Sequence, residues 1–167
     1  PKALEAALGA YRGKALVNSV NGEEAKLKEV LPLVARHKAA VVALTMDDKG
    51  IPQDVETRLA IAERIVDQAS RLGIPPEDIV VDPLAMSVAA DHTAGLTSLK
   101  ALRAIRERLG VNQTVGASNV SFGLPERTAV NAVFLTMAVQ SGCTCPISDP
   151  TVWELRRTLL AADLMLG

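Results

Sequence analysis

Three compact polar residues, Asn18, Asp82 and Asn119, each stand at or just beyond the end of a short apolar run. An ionised Asp accepts two parallel hydrogen bonds, and an Asn side chain offers both a donor and an acceptor. Gathered in one place, such groups can read the edge of a flat heterocycle with adjoining donors and acceptors. A pterin ring has that edge: a 2-amino group and a ring N–H beside a carbonyl. Taken singly, each residue has a plainer reading as a helix N-cap or turn former. Asp82 before Pro83 is the clearest instance, because Asp-Pro commonly opens a turn. Three together favour a site. No side chain suited to a covalent nucleophile accompanies them, and the two histidines, His37 and His92, fall in unrelated segments, so no bound metal is expected.

The elements that must position these residues repeat one pattern. Apolar runs at residues 15–17, 40–44, 79–81, 114–117 and, more weakly, 143–147 are each followed by a polar turn and a longer stretch with helical spacing. Near-continuous hydrophobicity suits strands buried on both faces of a parallel sheet. Helices are predicted over 1–11, 23–37, 55–72, 96–109, 126–141 and 152–165, with stop signals at Gly73, Gly110 and Gly142. Within the helix over 55–72, Leu59, Ala62, Ile65, Val66 and Ala69 form one apolar stripe. Five βα units in tandem imply parallel strands with right-handed crossovers. A doubly wound open sheet and part of a barrel both satisfy that pattern, and both deliver chemistry at the C-terminal strand ends. The GxGxxG turn of a dinucleotide fold is absent, as is a P-loop, which weakens the open-sheet nucleotide reading.

Composition narrows the partners. Of 167 residues, 49% are hydrophobic, which indicates a globular chain with a real core. A formal charge of -1 gives no electrostatic reason to expect nucleic acid or an anionic membrane. Aromatic residues make up only 2%, which argues further against a single-strand binder. Cys143 and Cys145 sit too close together to staple a fold, so a reducing, cytoplasmic compartment is expected. The chain opens at Pro1 in what reads as mid-helix and closes near a helix end, as a fragment would.

At Asn18-Ser19, Asp82-Pro83-Leu84 and Gly116-Ala117-Ser118-Asn119-Val120-Ser121, the sequence resembles the pterin-binding methyltransferases. It is most similar to the methyltetrahydrofolate:corrinoid/iron-sulfur protein methyltransferases, then to the folate domain of cobalamin-dependent methionine synthases. The likeness extends through Leu44-Thr45-Met46, Gly50-Ile51-Pro52, Asp54, Thr57-Arg58-Leu59-Ala60 and Asp91-His92 to Arg127, Asn131 and Phe134. It implies a TIM (β/α)8 barrel of the dihydropteroate synthase-like type, of which residues 1–167 would be a single pterin-binding domain. About five C-terminal βα units would be present, without the first three strands and a pterin-binding Asp carried there.

By the same resemblance, Asn18 and Asp82 would hydrogen-bond the pterin. Asn119 would reach N5, where the transferred methyl sits, as the catalytic residue. Gly116 and Ser118 would shape that strand end, and Arg127 would line the site. Methyltetrahydrofolate is the implied substrate, the corrinoid is carried by a partner protein, and a homodimer is expected. Phe122 stands where the corrinoid/iron-sulfur subfamily has Gln, a departure from that subfamily. Dihydropteroate synthase is the nearest enzymatic rival. It carries Ser-Arg-Lys in place of Ser118-Asn119-Val120, and Arg-x-His near the segment Cys145-Pro146-Ile147. A truncated, non-catalytic barrel acting as a binding or assembly module is the rival that is not an enzyme.

Overall fold

In the computed structural model, which describes residues 2–167, the strands β1 (Leu16–Asn21), β2 (Ala40–Leu44), β3 (Ile79–Asp82) and β4 (Asn112–Gln113) pair in that order, all parallel. The helices are α1 (Lys2–Ala10), α2 (Glu24–Arg36), α3 (Val55–Arg71), α4 (Ala94–Leu109), α5 (Arg127–Ser141) and α6 (Trp153–Leu166). The predicted helix start at Pro1 lies outside the described residues. No described helix is long and apolar enough to cross a membrane.

Strand order decides between the two architectures that the hydrophobic pattern leaves open, in favour of the barrel that the resemblance implies. A doubly wound sheet reverses its order at a switch point and carries helices on both faces. Here the order never reverses, and the helices lie to one side. Val17, Val20, Val41, Ala43, Ile79 and Val81 point into one core with Leu27, Leu31 and Val34 of α2 and Ile61, Ala62 and Ile65 of α3. Burying each large apolar side chain there contributes about 1.5–3 kcal/mol, which holds the helices to that face. Alternate strand residues face the other way, onto a concave surface. This is the winding of a (β/α)8 barrel, and five βα units of it are present when the segment before α6 is counted.

Two of the predicted runs fold differently from the expectation. Ladder pairing with β3 falls on Asn112 and Gln113 because β3 ends at Asp82, while residues 114–116 run on extended, with the Thr114 N–H donating to the Val81 carbonyl and Gly116 bridging to Ile147. Ala117–Asn119 is a 3-10 turn. The run at 143–147 forms no regular strand. It follows β4 through the Thr144 and Cys145 N–H groups donating to the Gln113 carbonyl, and through one parallel bridge, Gly116 to Ile147. Both thiols also donate to the Gln113 carbonyl, so the two cysteines are spent on the last barrel segment.

Helix limits follow the local chemistry. The Asp54 carboxylate accepts from the Thr57 N–H at 2.7 Å and caps α3. α4 and α5 stop at the predicted glycines, Gly110 and Gly142, each in the left-handed region. The buried stripe of α3 is Arg58, Ile61, Ala62, Ile65 and Ala69, so it is centred one residue earlier than the apolar spacing alone indicated. Leu59 and Val66 are only partly buried at its margin.

Candidate functional site

The register assigns each polar residue to a face. Asn18 pairs with Val42, Val42 with Val80, and Val80 with Asn112. These residues therefore share one row of the concave surface. Asp82 lies two residues beyond Val80, and Thr114 and Gly116 follow Asn112 at the same alternation, so all point to the concave side. A bulge makes this possible on β1. The ladder slips between Asn18 and Val20, so that Val20 pairs with Ala43 and returns to the helix side. Val17 and Val20 are thus both buried, while Asn18 between them is exposed on the concave face.

The apolar run at 15–17 predicts Asn18 just beyond its strand. It lies inside β1, which runs on to Asn21. β2 separates β1 from β3, so Asp82 and Asn119 stand at the ends of adjacent strands while Asn18 is set apart from Asp82 by one strand. Among the described residues, the Asn18 side chain hydrogen-bonds to no protein group, which leaves its amide free for a ligand.

Asp82 closes β3 and is only 8% exposed. Its Oδ1 accepts from the Leu84 N–H at 2.8 Å, across Pro83, which has no N–H to offer. Burial pushes the carboxyl up from 3.8 to about 6, partly opposed by that hydrogen bond and by the charge of Arg58. Leu84 is held at φ 65, a conformation that costs a branched side chain about 1 kcal/mol or more. Its carbonyl accepts from Arg58 Nη1 at 2.9 Å and from Ser98 Oγ at 3.1 Å. The turn that aims Asp82 is therefore over-determined.

The end of β4 is built differently. Gly116 has an ordinary φ of -73°, so backbone conformation does not demand a glycine there. The space above it is tight: an added Cβ would lie 3.0 Å from the Asn119 Nδ2, so the amide would have to shift by a small amount to admit one. The amide of Asn119 folds back over the strand end, on the concave side, and makes no side-chain hydrogen bond among the described residues. Ser118 and Arg127 hold this turn in place. Arg127 Nη2 donates to the Ser118 carbonyl at 2.8 Å and Nε to Ser121 Oγ at 3.0 Å, while the guanidinium lies 5.7 Å from the Phe122 ring centroid. Asn131, buried on α5, donates to Ser118 Oγ at 3.4 Å. Arg127 pairs with no described carboxylate, so its charge remains available to an acidic group of a ligand.

Gly116, Ser118, Asn119 and Arg127 thus form one unit, and Asp82 stands on the strand beside it. Asn18 lies two strands further along the same concave surface. The residue that pattern reading missed is Arg58, which is 1% exposed. Its signal was present in the sequence, because Arg58 falls on the apolar stripe of α3, one turn before Ile61 and Ala62.

Comparison with known proteins shows the family and the fold that carry these residues. The model of the pterin binding enzyme family matches residues 1–148. A methylcorrinoid:tetrahydrofolate methyltransferase of Eubacterium limosum is 33% identical over 170 residues, covering 100% of this chain and 63% of the relative. A methionine synthase of Mycobacterium leprae (strain TN) is 36% identical over 152 residues, covering 83% of this chain and 13% of the relative. The chain therefore spans less than two thirds of either one. A crystal structure of dihydropteroate synthase from Clostridium difficile superposes with a TM-score of 0.76 at 19% identity, covering 98% of this chain and 64% of that one. At that identity the likeness shows the fold, a dihydropteroate synthase-like barrel.

Proposed function

Because this chain belongs to the pterin binding enzyme family, we propose that its concave strand-end site binds methyltetrahydrofolate and passes the N5 methyl to the cobalt of a corrinoid protein. The observation that carries this reading is Asn119, whose free amide folds over Gly116 on the concave face. With Asp82 at the end of the adjacent strand β3, a neutral donor and acceptor and a carboxylate stand at neighbouring strand ends, which supports a ligand with a pterin edge and an N5. Asp82 accepts from the 2-amino group and ring N–H, and Asn18 supplies a further contact along the same surface. Gly116 and Ser118 shape the strand end. Arg127 meets the acidic tail of the folate.

When the methyl leaves, the N5–C bond breaks and its electron pair stays on N5. That is a poor leaving group unless a proton arrives. Asn119 Oδ1 can accept from the protonated N5 and stabilise it as charge develops. An amide is not a credible general acid, so the proton reaches N5 through ordered water. The corrinoid, carried by a separate partner, supplies a cobalt nucleophile. The name of the Eubacterium limosum relative writes the transfer in the opposite direction. A site that stabilises one transition state serves both directions, so this does not alter the assignment of residues. The proposal further takes residues 1–167 as one barrel domain of a cytoplasmic homodimer.

A second reading draws on β1. It pairs only with β2 among the described residues, and its Leu16 is 56% exposed. In that alternative, a non-catalytic binding or assembly module, this edge takes up a strand of a partner. One experiment separates the two. Methyl transfer from methyltetrahydrofolate to free cob(I)alamin is followed spectrophotometrically, using the chain alone and a barrel completed by the N-terminal third of a relative. Turnover in either form, lost in Asn119→Ala, supports the enzyme. Absence of turnover in both sinks it.

A further inference from the structure

Arg58 is a buried guanidinium that the proposed methyl transfer does not use. It is the largest side chain in the molecule with almost no exposure, and a buried charge is costly unless its donors are met and an opposite charge is near. Its donors go to backbone: Nε to the Pro52 carbonyl at 2.8 Å, and Nη1 to the carbonyls of Pro83 at 2.8 Å and Leu84 at 2.9 Å. The opposite charges acting on it are Asp54, at the cap of its own helix, and Asp82. Arg58 therefore grips the two residues after Asp82, and the Leu84 N–H holds the Asp82 carboxylate in turn.

We propose that Arg58 is a positioning residue for the pterin site: by holding the Pro83 and Leu84 carbonyls it locks the turn whose Leu84 N–H aims the Asp82 carboxylate. The inference rests on the pterin reading for its ligand, but the link from Arg58 to Asp82 does not. Two features set this apart from ordinary core packing. An apolar residue on the α3 stripe would fill the same space without binding three carbonyls. The turn it grips also holds Leu84 in the left-handed region, which needs outside support. The groups that act on Asp82 are Arg58 and the Leu84 N–H. The Cys143 thiol is itself pushed up to about 12, mainly by burial and then by the charges of Cys145 and Asp82, so it is neutral and does not compete.

The test uses two variants and two measurements. Arg58→Met removes charge and hydrogen bonds, while Arg58→Lys keeps the charge and loses the planar fork. The Asp82 carboxyl is titrated by NMR in each ligand-free protein, and methyltetrahydrofolate affinity is measured from pH 5 to 8. In Arg58→Met the Asp82 midpoint should rise by roughly one pH unit, as loss of a nearby opposite charge does. Affinity at pH 6 should then fall about fivefold more than affinity at pH 8. Arg58→Lys should keep the midpoint and lose affinity roughly tenfold at every pH. A purely structural role would lower stability and leave the Asp82 midpoint in place.

An unmoved midpoint in Arg58→Met, or wild-type affinity in Arg58→Lys, overturns the proposal. If Arg58→Met does not fold, the Arg58→Lys affinity decides alone. Should the unsubstituted protein bind no methyltetrahydrofolate while the Asp82 midpoint still moves in Arg58→Met, the pterin reading fails and the coupling of Arg58 to Asp82 stands.

Discussion

Replacing Asp82 by Asn should make the protein more stable and a worse binder. Burial pushes the Asp82 carboxyl up to about 6 in the folded protein, against 3.8 for an unperturbed group. Between those values the folded state binds the extra proton, so stability falls as pH rises through the window. It is highest below about pH 4, and the loss is complete once pH has passed the folded midpoint near 6. Each pH unit of displacement is worth about 1.4 kcal/mol, so the ionised carboxylate costs the fold about 3 kcal/mol at pH 7.5 and about half that at pH 5. Asn keeps the oxygen that accepts from the Leu84 N–H and carries no charge to desolvate. Urea unfolding of both proteins at pH 5, 6, 7 and 7.5 gives the difference curve. It should climb toward about 3 kcal/mol in favour of Asp82→Asn, while titration with methyltetrahydrofolate shows weaker binding. A flat difference curve would refute the burial argument. Unchanged pterin affinity would remove Asp82 from the site.

Three further outcomes follow from the geometry. Asn119→Ala should leave stability within about 0.5 kcal/mol, since the side chain is exposed and makes no protein hydrogen bond, yet lower methyl transfer on the order of 10²-fold or more; unfolding curves and cob(I)alamin turnover read the two separately. Gly116→Ala should fold, because φ -73° suits alanine. Its Cβ would displace the Asn119 amide from 3.0 Å, so calorimetry should show roughly tenfold weaker pterin binding. Iodoacetamide at pH 8 should label exposed Cys145 and spare Cys143, whose buried thiol is pushed up to about 12; peptide mass mapping reads which sulfur reacts, and rapid labelling of Cys143 would contradict its burial.

Much of the frame was legible in one dimension because it depends on local chemistry. Runs of Val and Ile mark buried parallel strands, and Gly110 and Gly142 end their helices through backbone freedom that other residues lack. The weaker elements were less legible for the same reason. Asn112–Gln113 has no apolar signature, and the segment at 143–147 is shaped by what it meets at Gln113. β1 was read too short, since Asn18 and Asn21 are polar members of a strand whose concave face is not core.

By itself, the sequence determined the βα repeat, the polar character of Asn18, Asp82 and Asn119, and a motif resemblance that named a pterin. Periodicity could not choose barrel winding over an open sheet, because strand order is a long-range pairing that it does not encode. The motif resemblance implied the barrel, and the tertiary structure shows its winding. It alone put Asn18 and Val20 on opposite faces, through a one-residue bulge. It also turned Gly116 into a seat for Asn119 and Arg58 into the grip on Asp82. Each of those roles depends on which atoms meet across the fold, and contact between distant residues is settled by packing rather than by the order of residues along the chain.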